Sequence, residues 1–209
     1  MSSMREIVGR ITSKDPDVLS QSLVFVRERS ALENERGKVA EARATAMLAI
    51  LGILAGLIVP LADSIDAVSG ESRWTVIVTF LGSILFLTKG LYHAIGVLGV
   101  SKQYRLKIDS VFDFQGLSRV DALREEIASL VWECQESVQP NTTKLFLLHR
   151  SQRNGMVAVI LFMLFGVLSL VVKANWIAVP QYVAYATGTA VLIFLFVSDR
   201  IAEKTGVWR

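Results

Sequence analysis

The sequence predicts an all-α, polytopic membrane protein whose four transmembrane helices extend into a cytoplasmic helical bundle. Three observations predict it: four long apolar blocks, a one-sided distribution of basic residues, and helix-forming segments with an apolar stripe between the blocks. The blocks cover residues 44–62, 74–100, 155–172 and 176–197. Each holds about the 17–25 residues that a helix rising ~1.5 Å per residue needs to cross a ~30 Å hydrocarbon core.

Of the 22 Lys and Arg, all but three lie in residues 1–43, 101–154 and 198–209. The exceptions are Arg73 and Lys173, in the two short connections, and Lys89, inside the second block. By the positive-inside rule both termini and the central loop are cytoplasmic, with the connections around residues 63–73 and 173–175 outside. The expected organisation is a cytoplasmic arm (1–43), spans one and two (44–100), a cytoplasmic helical loop (101–154), spans three and four (155–197) and a cytoplasmic tail (198–209). Acids nearly balance bases in the arm and the loop, so the net charge of +3 describes mixed, solvated helices and not a phosphate-tracking stripe. No nucleic-acid partner is expected. The first ~20 residues lack an apolar h-region, so span one is expected to target the chain. The single cysteine, Cys134, excludes an intrachain disulfide and reads as a small apolar residue.

In the arm, residues 4–11 suggest a short amphipathic helix. Asp15-Pro16-Asp17 then reads as a helix start, with an N-cap acid, proline at the first helical position and a second acid favoured by the dipole. Only Gly37 interrupts good helix formers from there to Pro60, which predicts one helix from Pro16 through span one. Its apolar positions Leu19, Leu23, Val24, Val26, Leu32, Val39 and Ala42 recur every three to four residues. They rest either on the chain's own loop or on other copies of the chain.

In the loop, residues 101–108 contain no breaker and predict an overrun of the second helix, and residues 109–116 read as a turn or short extended piece. Ser118 and Asp121 resemble a capping box. The next helix carries Val120, Leu123, Ile127, Leu130, Val131, Cys134 and Val138 as one apolar stripe in need of a partner. Pro140 is expected to end it and Asn141 to cap the following helix, which enters span three. Asn141-Thr142-Thr143 matches a glycosylation sequon but falls on the cytoplasmic side, so the match is accidental.

Within the spans, Gly52 and Gly56 form a GxxxG pair and Gly188 sits among small residues in span four. Small residues let helices approach where lipid is as apolar as leucine, either inside one subunit or between subunits. Lys89 lies about 22 Å below Trp74, at ~1.5 Å per residue, with Tyr92 and His93 a turn later. A lysine at that depth costs roughly 2.5–3.5 kcal/mol unless it snorkels or meets water. Lys89, Tyr92 and His93 either anchor the inner interface or line a polar vestibule, with Gln181 and Thr187 on the outer half of the same path. Thr75, Thr79 and Ser83 stack on one face of span two. Walker, HExxH and GxSxG motifs are absent, as are His or Cys pairs at metal spacing and intramembrane acids. No catalytic residue, cofactor or metal is expected, and an enzyme is disfavoured.

The charged helix of residues 27–43 feeding a small-residue-rich span (44–62), the short acidic outer turn and a second span running on towards residue 107 together resemble a family plan. It is that of the small multi-span effectors of bacterial anti-phage defence, the SLATT and SMODS-associated four-transmembrane type. The resemblance implies a homo-oligomeric protein of the bacterial inner membrane that permeabilises or depolarises it when triggered. A membrane subunit working with a soluble cytoplasmic partner protein, as in Kiwa-type defence, shares the same plan. The sequence therefore leads to a non-enzymatic pore-forming or membrane-sensing effector, with a transporter or ion-channel subunit as the alternative.

Overall fold

The computed structural model describes residues 4–66, 68, 72–100 and 116–174, together with the single positions 186, 189, 190 and 193. Regular structure among the described residues is helical: α1 (Met4–Arg10), α2 (Pro16–Gly56), α3 (Ile58–Asp66), α4 (Ser72–Gly99) and α5 (Arg119–Lys173). Three runs are long and apolar enough to cross a membrane, Pro16–Asp63, Ser72–Gly99 and Arg119–Lys173. The fourth expected span, 176–197, lies outside the described residues apart from the four single positions, as do residues 101–115. The chain divides into two compact units, Met1–Ala42 with Leu98–Leu145 and Arg43–Val97 with Phe146–Arg209.

The expected start signal at Asp15 operates as written, and that at Ser118 keeps the side-chain-to-amide half of the capping box. Asp15 Oδ1 accepts the Asp17 amide at 2.9 Å and opens α2, satisfying one of the amides that a helix start leaves without an intrahelical partner. Ser118 Oγ accepts the Asp121 amide at 3.2 Å and donates to Asp121 Oδ2 at 2.6 Å, opening α5 at Arg119.

Two proline expectations are corrected. The helix expected to run unbroken to Pro60 breaks at Leu57 instead. Proline has no N–H to offer the carbonyl of Gly56, four residues back, and its ring crowds that carbonyl. The Leu57 amide turns to Leu54 O at 3.1 Å, and α3 begins at Ile58 with Pro60 in its first turn, where the missing donor is harmless. Pro140, by contrast, does not end a helix: α5 runs through it for 55 residues. An interior proline costs about 3 kcal/mol, and packing on α2 offsets it. Asn141 is no cap, because its Nδ2 donates to Glu33 O at 2.7 Å. One turn later Lys144 Nζ pairs with Glu41 Oε1 at 2.5 Å.

In the first unit, Leu19, Leu23 and Ile127 form an apolar cluster with Ile11, Val26, Val120, Leu123, Leu130 and Val131 around it. The two stripes expected to need a partner therefore cover each other over this stretch. Arg124 donates to the Ser13 and Thr12 carbonyls at 2.7–3.2 Å, and Arg27 pairs with Glu126. The buried positions of α2 in this unit are 19, 23, 30, 33, 37 and 40, with 26 half-buried, an alternation of four and three. Val24, Leu32, Val39 and Ala42 of the expected stripe are exposed instead. In the second unit Leu51, Phe86, Leu87, Ala158 and Leu161 form one buried cluster. Val68, Val76, Phe80 and Phe165 form another, with the Phe80 and Phe165 ring centroids 4.9 Å apart.

Candidate functional site

On α4 the turn containing Lys89, Tyr92 and His93 sets the three side chains within about 100° of one another, at different depths of burial. Residues 89 and 93 lie about 40° apart on a helix of 3.6 residues per turn, and Tyr92 lies to one side. Accordingly His93 is 7% exposed, Lys89 is half-buried and Tyr92 is 73% exposed. The Tyr92 and His93 rings meet edge to face at 5.6 Å. Gln181, Thr187 and Gly188 lie outside the described residues.

The hydroxyl ladder on α4 is deeply buried. Thr75, Thr79 and Ser83 are closed off from the surface. Thr79 Oγ1 donates to Thr75 O at 2.8 Å and Ser83 Oγ to Phe80 O at 2.6 Å, the back-bonding that hydroxyls adopt inside a helix. Thr75 Oγ1 and Ser169 Oγ are buried without a hydrogen-bond partner among the described residues.

Gly52 and Gly56, singled out for helix packing, are exposed, and a Cβ built at either meets no described residue within 4 Å. The close approach of this unit is made by Gly90 and Gly155. A Cβ at Gly90 would lie 3.2 Å from Leu51 Cδ1 and 3.4 Å from Gly155 N, and one at Gly155 would lie 3.1 Å from both Leu51 Cδ2 and Met47 Cε. Ser151 Oγ donates to Gly90 O at 2.9 Å across the same contact. One position before Gly155, Asn154 is fully buried, and neither amide atom has a hydrogen-bond partner among the described residues. An amide in that condition costs about 1–3 kcal/mol. Sequence reading passed over these residues because single glycines have no GxxxG spacing and because Asn154 falls just before the apolar block. Arg150 stacks over the Phe146 ring at 4.2 Å.

In the other unit a second close approach joins α2 and α5. A Cβ at Gly37 would lie 2.7 Å from Asn141 Oδ1, so any larger residue there would have to push the Asn141 amide from the place in which it reaches the Glu33 carbonyl. Glu33 and Asn141 are both buried, and Arg36 stands 3.5 Å from Glu33. Cys134 is half-buried and its thiol is pushed up, first by burial, then by the Glu33 carboxylate, against a smaller opposing pull from Arg29. A raised pKa makes a poor nucleophile. No group of three or more His, Cys, Asp or Glu able to hold a metal occurs among the described residues.

Compared with known proteins, the chain matches no family model, no curated protein and no solved structure.

Proposed function

We propose that the chain is a non-enzymatic, homo-oligomeric membrane protein, a pore-forming or membrane-sensing effector of bacterial anti-phage defence triggered through its cytoplasmic helices. The observation that carries the reading is the first membrane-length helix. Only 11% of its apolar window is buried inside the chain, and its GxxxG pair stands open. A helix with that much uncovered apolar surface has lipid or further copies of itself as partners. The defence assignment rests on the resemblance in plan. The membrane assignment rests on the three long apolar helices.

A channel or transporter subunit is the second reading, favoured by the buried Thr75, Ser169 and Asn154 along α4 and α5, whose side-chain polar atoms have no hydrogen-bond partner among the described residues. Intramembrane polar groups without partners are expensive, and they commonly line water or ion paths. Induced expression in a bacterium, read with a membrane-potential dye, tests the first reading. It expects silence under normal growth and depolarisation on phage challenge. Steady solute or ion flux without challenge would favour the second reading, and a cell that neither depolarises nor shows flux under either condition would sink both.

A further inference from the structure

Along the arm of α2, Val18, Phe25, Leu32 and Val39 are exposed large apolar residues spaced seven apart. Phe25 is 67% and Leu32 59% exposed. A seven-residue period keeps side chains on one slowly drifting line of a helix, so the four form a single seam. It is a different line from the buried one, which runs through 19, 23, 30, 33, 37 and 40. The seam has a flank on either side. Three residues beyond Phe25 and Leu32 stand Glu28 and Glu35, and four residues beyond them stand Arg29 and Arg36, all four exposed. On a wheel of 100° per residue, positions i+3 and i+4 fall about 60° to one side and 40° to the other. One border of the seam is therefore acidic and the other basic.

We propose that this seam is a contact between two copies of the chain, paired in parallel about a two-fold axis along the membrane normal. The inference rests on the reading of the protein as a membrane-embedded oligomer. Copies inserted with the same orientation present α2 in parallel. A two-fold axis along parallel helices brings each helix's acidic border against its partner's basic border. Glu28 then stands at nearly the height of the partner copy's Arg29, and Glu35 at nearly that of the partner copy's Arg36, each pair occurring twice. An antiparallel pairing would set acid against acid and base against base, so the charge pattern selects the arrangement the membrane imposes. One apolar residue every two turns makes a thinner seam than a coiled coil with two per heptad. Spans already held in one oligomer would compensate through high effective concentration.

The test uses the full-length chain in native membranes and in mild detergent, with Cys134→Ser as background. Phe25→Cys and Leu32→Cys are expected to form disulfides between copies under mild oxidation, because like positions meet at a two-fold axis. Asn34→Cys, exposed but off the seam, is expected to form none. Glu28→Arg, which makes both borders basic at that level, should lower the Leu32→Cys disulfide yield by about threefold or more, and Glu28→Arg with Arg29→Glu should restore it. These positions are exposed, and Leu32→Ser, expected to leave the melting temperature unchanged, controls for folding while it weakens pairing. An oligomeric mass in detergent with no disulfide at Phe25→Cys or Leu32→Cys would overturn the inference and leave the proposed oligomer standing. A monomeric mass with the same positions open to thiol reagents would overturn both and leave the seam to a different partner. Equal disulfide yields in the Glu28→Arg variant and its swap would remove the charge argument and with it the parallel pairing.

Discussion

At the scale of single residues, the tightest constraint is the pair Gly37 and Asn141. A methyl group at residue 37 meets an amide oxygen at 2.7 Å, so Gly37→Ala should destabilise the fold by about 1–3 kcal/mol despite better helix propensity. Asn141→Ala, which removes the bond to the Glu33 carbonyl, should cost about 1 kcal/mol. The double variant should recover part of the Gly37→Ala loss, since the clash has gone. Additive losses in chemical unfolding would deny that the two residues touch. Cys134 gives a second expectation. The folded chain holds the thiol proton more tightly than the unfolded chain does, because burial and Glu33 disfavour the thiolate. Stability is therefore complete below the ordinary thiol range and is lost as pH rises through and above it. Alkylation near neutral pH should be slow in the native protein and fast in denaturant, whereas equal rates would show an open thiol. Neither Gly37 nor Asn141 was legible in the sequence as a contact. Glycine reads as an interruption and asparagine after proline as a cap, and only the approach of a second helix gives both another use.

At the scale of elements, the helix starts were legible and the proline effects were not. Asp15 and Ser118 act through neighbours two and three residues away, within reach of local reasoning. Pro140 lies in a helix held by side chains from a distant part of the chain, and tertiary packing overrides a local breaker there. The buried line of α2 was half legible for a related reason. Leu19 and Leu23 announce it, but its middle is occupied by Ser30, Glu33 and Gly37, which hydrophobic periodicity does not register. The same holds for the glycines. Gly155→Leu should destabilise the second unit by roughly 1–3 kcal/mol, because its Cβ already presses on Leu51 and Met47 at 3.1 Å. A Cβ at Gly56 meets no described residue within 4 Å, so Gly56→Leu should leave thermal stability of the subunit unchanged while loosening the proposed oligomer. The two readouts, melting temperature and mass in mild detergent, should separate the variants. If the proposed oligomer forms and keeps its mass in Gly56→Leu, that face would be assigned to lipid.

At the scale of the whole molecule, helical structure throughout the regular part of the described residues, with membrane-length helices, was the most legible property. It depends on composition summed over some twenty residues at a time, where single misreadings average out. The expected topology follows from the same kind of sum. Reporter fusions at Ser69 and Asn175 should read outside, and fusions at Gln135 and Arg209 inside. An inside signal at Ser69 would reverse the orientation assigned to every segment. The buried line of α2 has a thermodynamic consequence. Where Ser30, Glu33, Gly37 and Asn141 replace aliphatic side chains, unfolding exposes less apolar and more polar surface, and those two contributions to the heat capacity have opposite sign. The first unit should accordingly show a shallow stability curve, nearly as firm in the cold as at growth temperature, with weak sensitivity to the salts and osmolytes that act by strengthening hydrophobic burial.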